Sequence, residues 1–168
     1  MEAECGLCAV NFAIQSQVWN RDSFDDIAQQ LNTAENDLVA DGEVANNHDM
    51  YGNYTIQVLN GTLNPYGLHL ALWDRAIDCD TFDCFIMNLV NHWYTIRKIG
   101  TYYWRLDSLQ NHPIRMSSYD LEAHLSSINF AGYSVFTVTG IFNDGDPSTP
   151  GTWYEEINGE LQALMMTE

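Results

Sequence analysis

Positive charge is what this sequence has least of. Lys and Arg number 6 against 23 Asp and Glu, which gives a formal net charge of −17. Such a chain repels a phosphate backbone or an anionic bilayer, so neither nucleic acid nor membrane is expected as a partner; a basic partner or substrate is. Long apolar runs are missing as well. No stretch approaches the roughly 18 residues of a membrane span, and nothing at the start reads as a secretory signal. We therefore expect an intracellular protein, cytoplasmic or nuclear, and a monomer. There is no disulfide framework to expect either: Cys5, Cys8, Cys79 and Cys84 could pair, but an intracellular protein keeps them as thiols. Zinc spacing is absent too, since Cys5-x-x-Cys8 lacks a second pair or a nearby His pair. No metal and no cofactor is expected. No internal repeat or low-complexity tract is evident.

What is present suits a single packed domain. The chain has 168 residues, 46% of them hydrophobic, enough for a sizeable core. Helical periodicity opens it: Leu7, Val10, Ile14 and Val18 share a face, with Ala9 and Ala13 beside them. Ser23 and Asp26 suggest a capping box ahead of the Phe24, Ile27, Ala28, Leu31 stripe. A polar stretch follows, and the part from Asp41 to Asn53 reads as a loop. A third helix is expected from Tyr54 to Leu63, with Gly67 closing it. The period then switches to alternation at Leu68–Trp73, and Phe85–Leu89 has strand length. His92–Ile99 and Tyr102–Asp107 form a hairpin turning at Gly100. Ser117, Ser118 and Asp120 start a helix carrying Leu121, Leu125 and Ile128. Tyr133–Thr139 is the last clear strand, and a terminal helix spans about Thr152 to Met166. Helices first, then strands with one helix inserted, predict an α+β fold with an antiparallel sheet packed against helices.

Two places could carry chemistry. Cys8 is expected in the first turn of the opening helix, where unpaired N–H groups and the helix dipole favour a thiolate. From that segment alone a small apolar residue at a helix start is the competing reading. His92 and Asp107 are expected near the open end of the hairpin, within reach of each other, and a carboxylate there would fix an imidazole tautomer. Spacing alone allows an ordinary exposed His and an edge carboxylate equally well.

Resemblance adds to this. Leu7-Cys8-Ala9, Ile27-Ala28-Gln29-Gln30-Leu31, Tyr54-Thr55-Ile56-Gln57-Val58 and Tyr66-Gly67-Leu68 occur in one family's order. So do His92-Trp93-Tyr94-Thr95-Ile96-Arg97-Lys98, Trp104-Arg105-Leu106-Asp107-Ser108-Leu109 and Gly132-Tyr133-Ser134-Val135-Phe136. The chain resembles the Josephin domain family of cysteine deubiquitinases over roughly Cys5 to Gly140. The His-Trp-aromatic-Thr run with its Asp-Ser-Leu run is the most specific part. The resemblance implies a papain-like Josephin fold, with a catalytic domain over 1–142 and an extension over 143–168 packed on it or trailing it. It implies hydrolysis of the isopeptide or peptide bond after the C-terminal Gly-Gly of ubiquitin, with ubiquitin or polyubiquitin as partner. Cys8 is then the nucleophile, His92 the general base and acid, and Asp107 the residue orienting His92, a position where the family carries Asn or Asp. Gly6, Asn91 and Trp93 would border a narrow channel for the Gly-Gly tail, and Ile56, Gln57 and Tyr66 would help bind ubiquitin.

The chain also departs from the family. Five residues before Cys8 the family has a Gln that donates to the oxyanion, and this chain has Ala3; Gln15, Gln17 or a backbone amide would have to replace it. Three residues after the nucleophile the family has a His, and here Asn11 stands. The segment between Leu31 and Tyr54 is shorter than the family's helical hairpin. These departures motivate a second function, a ubiquitin-binding module with little catalysis. A third comes from Glu4-Cys5-Gly6, which resembles the nucleophile motif of leader-trimming cysteine peptidases and would make Cys5 the attacking residue. The terminal helix, with Glu155, Glu156, Leu161, Ala163 and Leu164, lacks the spacing of a ubiquitin-interacting motif and reads as a docking helix.

Overall fold

The computed structural model describes residues 4–36, 55–142 and 152–167. Three helices come first: α1 (Cys5–Ile14), α2 (Arg21–Asn36) and α3 (Ile56–Leu63). Strands β1 (Leu68–Leu72), β2 (Cys84–Leu89), β3 (His92–Ile99), β4 (Tyr102–Leu106) and β5 (Ile114–Met116) follow, then α4 (Ser118–Phe130), β6 (Ser134–Gly140) and α5 (Tyr154–Met166). The strands form one sheet in the order β1-β6-β2-β3-β4-β5. Every neighbouring pair is antiparallel. This is the α+β, papain-like arrangement with helices against an antiparallel sheet.

Strand alternation divides the core. Cys84, Ile86 and Trp93 turn to one face, where they meet Leu7, Ala9 and Val10 of α1, Phe24 and Ala28 of α2, and Val58, Leu59 and Leu63 of α3. Phe85, Met87, Tyr94 and Ile96 turn to the other and pack with Leu121 and Leu125 of α4. The sheet is therefore covered on both faces, and its central strands β2 and β3 read as nearly unbroken apolar runs for that reason. A third cluster joins Phe12 of α1, Trp104 and Leu106 of β4, and Ile157 of α5. Trp153 stacks on Phe12 at 5.0 Å. Gln15 Nε2 donates to the Thr152 carbonyl at 3.2 Å. Helix α5 thus docks against the start of the chain through packing and a buried hydrogen bond, with His112–Glu156 and Arg115–Glu160 ion pairs at its rim.

Local chemistry explains most element ends and moves several from where the sequence suggested. Helix α1 begins at Cys5, not near Cys8, and Glu4 at its N-cap makes no side-chain capping bond. Val18 lies beyond its end. The capping exchange of α2 is one turn earlier than expected: Ser23 N–H donates to Asn20 Oδ1 at 2.9 Å and Asn20 N–H to Ser23 Oγ at 3.0 Å. Helix α4 starts where the sequence suggested, and there Ser117 and Asp120 form a capping box. Strand β5 was missed because its three residues are too few to show a period. Ala3, His48 and nearly all of the polar stretch before Thr55 lie outside the described residues. Among the described residues no helix is long and apolar enough to cross a membrane.

The β3–β4 hairpin turns at Gly100–Thr101, with Ile99 opposite Tyr102 and Thr95 opposite Leu106. Gly100 has φ +68, and a Cβ there would stand 2.8 Å from Leu161 Cδ1 of α5. Gly100→Ala is expected to cost about 1–2 kcal/mol through left-handed backbone strain. That corresponds to a Tm lower by about 3–6 °C by thermal denaturation. An unchanged Tm would mean that the turn relaxes and α5 gives way without cost.

Candidate active site

Asp107 directly follows β4 and opens a turn in which Gln110 N–H donates back to the Asp107 carbonyl at 2.9 Å. Its carboxylate is 1% exposed. Oδ1 accepts from the Leu109 amide at 3.0 Å and faces His92 Nε2 at 2.8 Å. Oδ2 accepts from Arg105 Nη2 at 3.1 Å. Burial alone would raise this carboxyl, but His92, the Leu109 amide and Arg105 outweigh it and hold it below its ordinary value. The same hydrogen bond lifts His92 to about 9, with the Cys5 thiol adding to the rise and burial opposing it. A carboxylate on Nε2 keeps that nitrogen protonated. His92 Nδ1 is the ring nitrogen left, and it is buried without a hydrogen-bond partner.

The sulfur that acts on His92 belongs to Cys5, not to the expected Cys8. Trp93 N–H donates to Cys5 Sγ at 3.2 Å, and Cys5 Sγ lies 3.9 Å from the Asn91 carbonyl. Cys5 is the first residue of α1. The free amides and positive dipole end, which the sequence reading gave to Cys8, therefore fall to Cys5. Cys5 and Ala9 follow at i and i+4 on the side of α1 that meets β3, where Thr95 Oγ1 donates to the Ala9 carbonyl at 2.7 Å. Cys8, three residues on from Cys5, is turned about a sixth of the way round the helix from it. It packs, half-buried, on the Phe12, Trp104, Leu106 and Ile157 cluster. Burial, then Glu4 and Cys5, push its thiol up, the wrong direction for a nucleophile.

The remaining expected residues separate into two groups. Gly6 is buried in α1 beside Cys5. Asn91 sits at φ +56 in the two-residue turn between β2 and β3. Trp93 is buried, with its ring 6.1 Å from that of Phe136. A cleft of about 350 Å³ is lined by Thr55, Ile56, Val90, Asn91, Trp93 and Phe136, among others, so Ile56, Asn91 and Trp93 share one opening. Gln57 is exposed at the start of α3. Tyr66 is 42% exposed and contacts Trp19 edge-on at 6.3 Å. Gln15, a candidate for the missing amide donor, and Asn11, noted as a departure, both prove structural. Gln15 is buried and spends its amide on the Phe12 and Thr152 carbonyls, so it is no oxyanion donor. Asn11 clamps both backbone groups of Trp19.

Arg105 and Tyr94 were not singled out from the sequence. The Arg105 guanidinium lies 4.7 Å from the Tyr94 ring centroid, and that ring stacks on His92 at 5.8 Å. Tyr94 Oη pairs with His124 Nε2 at 2.6 Å. Burial pushes Tyr94 up to about 12 and His124 down, which favours the neutral form of each. The alternation of β3 and β4 could have placed Tyr94, Arg105 and Asp107 on one face; only the register shows Arg105 reaching Asp107. Among the described residues, Asp78, Cys79 and Asp80 are the one group whose ligand atoms converge. Asp78 uses its carboxylate to cap Asp80 N–H, and Cys79 belongs to the α4 face of the sheet, away from Cys5.

A helix-start cysteine set against a histidine–carboxylate pair at the end of an antiparallel sheet defines the papain-like class. Comparison with known proteins narrows the class. The Josephin family model matches residues 2–139. Ataxin-3 of Gallus gallus is 32% identical over 162 residues, covering 84% of this chain and 45% of that protein. Ataxin-3 of Homo sapiens is 31% identical with the same coverage. An ataxin-3 homolog of Arabidopsis thaliana is 29% identical, covering 83% of this chain and 58% of that protein. The chain belongs to the Josephin family. It spans about half the length of the relatives it matches.

Proposed function

We propose that this chain is a cysteine-type deubiquitinase, cleaving the isopeptide or peptide bond after the C-terminal Gly-Gly of ubiquitin. The observation that carries the reading is the Cys5 sulfur 3.2 Å from the amide of Trp93, the residue after His92, with His92 Nε2 held 2.8 Å from Asp107. The thiol proton passes to His92 Nδ1 before the substrate reacts, so the pair works as thiolate and imidazolium, and Cys5 Sγ attacks the glycine carbonyl. The amide of Cys5 itself, at the start of α1, would receive the oxyanion. Imidazolium returns the proton to the leaving amine, and a thioester remains. Water activated by the same Nδ1 then releases ubiquitin. Asp107 stays ionised throughout, holding the tautomer and the charge on the ring.

The cleft beside Asn91 and Trp93 would take the tail, with Ile56, Gln57 and Tyr66 bearing on ubiquitin's body. The net charge of −17 suits a basic tail. The domain is 1–142, with α5 clamped to it. Cys5 is 1% exposed behind Asn91 and Trp93, which is the observation favouring a binding module with little catalysis. Under the enzymatic reading the β2–β3 turn moves aside when the tail enters. Under it, the leader-peptidase assignment keeps its nucleophile, Cys5, and loses its substrate.

A ubiquitin probe with a C-terminal propargylamide separates the readings. The expected result is one covalent adduct, mapped to Cys5, retained in Cys8→Ala and absent in Cys5→Ala. Binding of ubiquitin without any adduct would support the non-catalytic module. An adduct on Cys8 would restore the assignment suggested by Leu7-Cys8-Ala9.

A further inference from the structure

Cys8 is left unused by the mechanism, yet it stands one helical turn from the proposed nucleophile. Cys5 and Cys8 are the first and fourth residues of α1, with Gly6 and Leu7 between them. Side chains three apart on a helix have Cβ atoms about 5–6 Å apart. A disulfide needs about 3.5–4.5 Å. The gap is on the order of 1 Å, and it falls in the one turn free to close it. Glu4 gives no side-chain cap, and Gly6 adds backbone freedom in that turn. All four cysteines are free. Cys79 and Cys84 belong to the sheet and its flanking turn, so Cys8 is the thiol within reach of Cys5 through local adjustment.

The two thiols also differ in the way such a pair requires. Cys5 stands at the start of α1 beside the His92–Asp107 pair, its sulfur 3.2 Å from the Trp93 amide. Cys8 is half-buried among Phe12, Trp104 and Leu106, a setting that any small apolar side chain would satisfy.

We propose that Cys5 and Cys8 form a reversible disulfide when the protein meets a peroxide, Cys5 being oxidised first and Cys8 resolving it. The inference rests on the reading of Cys5 as nucleophile and adds a regulation of that site. Cys5 thiolate attacks one peroxide oxygen, the O–O bond breaks, and hydroxide leaves and is protonated to water. The product is a Cys5 sulfenic acid. Cys8 sulfur then attacks the Cys5 sulfur, the S–O bond breaks, and a second water leaves as the S–S bond forms. The nucleophile is masked but spared further oxidation. A dithiol reductant restores both thiols and is itself oxidised to its disulfide.

The test uses the full chain treated with equimolar hydrogen peroxide, then alkylated, unfolded and mapped by mass spectrometry. The expected result is a Cys5–Cys8 peptide lighter by two hydrogens and unalkylated, with Cys79 and Cys84 alkylated. Ubiquitin-probe labelling should vanish with this bond and return nearly in full with dithiothreitol. In Cys8→Ala, peroxide should leave a dimedone-reactive sulfenic acid at Cys5 that passes to sulfinic acid, and dithiothreitol should then recover little labelling. Sulfinic acid at Cys5 of the wild type with Cys8 alkylated would overturn the proposal, as would a disulfide to Cys79 or Cys84 or no oxidation of Cys5. The mapping needs no activity. A Cys5–Cys8 disulfide in a protein whose reduced form never labels would sustain the thiol pair and sink the deubiquitinase reading. Labelling without the disulfide would do the reverse.

Discussion

Cys5→Ala is expected to abolish hydrolysis of a ubiquitin C-terminal fluorogenic amide, while Cys8→Ala keeps kcat/KM within about threefold of wild type. Removing a nucleophile that acts as one unit with its base leaves only binding and oxyanion contributions, so the loss should be at least about 10⁴-fold. Cys8 contributes packing, and an alanine there removes one sulfur from a half-buried site. Its cost should appear in stability, on the order of 1 kcal/mol, not in turnover. Circular dichroism with thermal denaturation distinguishes these, since both variants should fold. The opposite pattern, with Cys8→Ala dead and Cys5→Ala active, would require α1 to start a turn later and would remove the basis for the mechanism given above.

Why the sequence pointed to the neighbouring cysteine is a matter of helix ends. A helix start is legible when a side chain caps it, as Ser117 and Asp120 do for α4. Helix α1 has no such device: Glu4 makes no capping bond, and Gly6 inside the first turn looks like a lead-in residue. The periodicity of Leu7, Val10 and Ile14 was sound, but it fixes a face and not a first residue. The apolar runs of β2 and β3 were readable because packing on two faces demands them. Through the β3–β4 hairpin His92 and Asp107 were readable as a pair. Arg105 was not, because an arginine two residues before Asp107 on a strand is equally compatible with solvent. Its role depends on Tyr94 offering an aromatic face beneath the guanidinium.

Arg105 also changes what to expect of substitutions at Asp107. His92→Ala should lower kcat about 10³-fold, the usual loss when a positioned acid and base is removed. By residue type alone Asp107→Asn looks mild, since an amide oxygen can still hold a ring. Here Oδ1 already serves His92 and the Leu109 amide, so the amide's NH2 must take the place of Oδ2 against Arg105 Nη2. Donor would face donor beside an uncompensated, largely buried cation, a loss of about 1–3 kcal/mol. Asp107→Asn should therefore lower kcat/KM about 10²-fold. Adding Arg105→Gln, whose carbonyl can accept from that NH2, should recover about tenfold. Arg105→Gln alone should cost less than Asp107→Asn, as Leu109 and His92 still hold the carboxylate. The pH dependence gives a second readout. His92 is raised to about 9, so its ion pair with Asp107 is complete below its unfolded value and is lost as pH rises through about 9. The wild-type alkaline limb of kcat/KM should fall there, and in Asp107→Asn it should move to lower pH, because the amide cannot stabilise imidazolium. Thermal stability should follow the same sign, declining as pH rises from the ordinary histidine value of 6.5 to about 9 in the wild type but not in His92→Ala. An alkaline limb that stays in place in Asp107→Asn, or a double variant no better than the single, would show that Arg105 and Asp107 do not act on His92 as one unit.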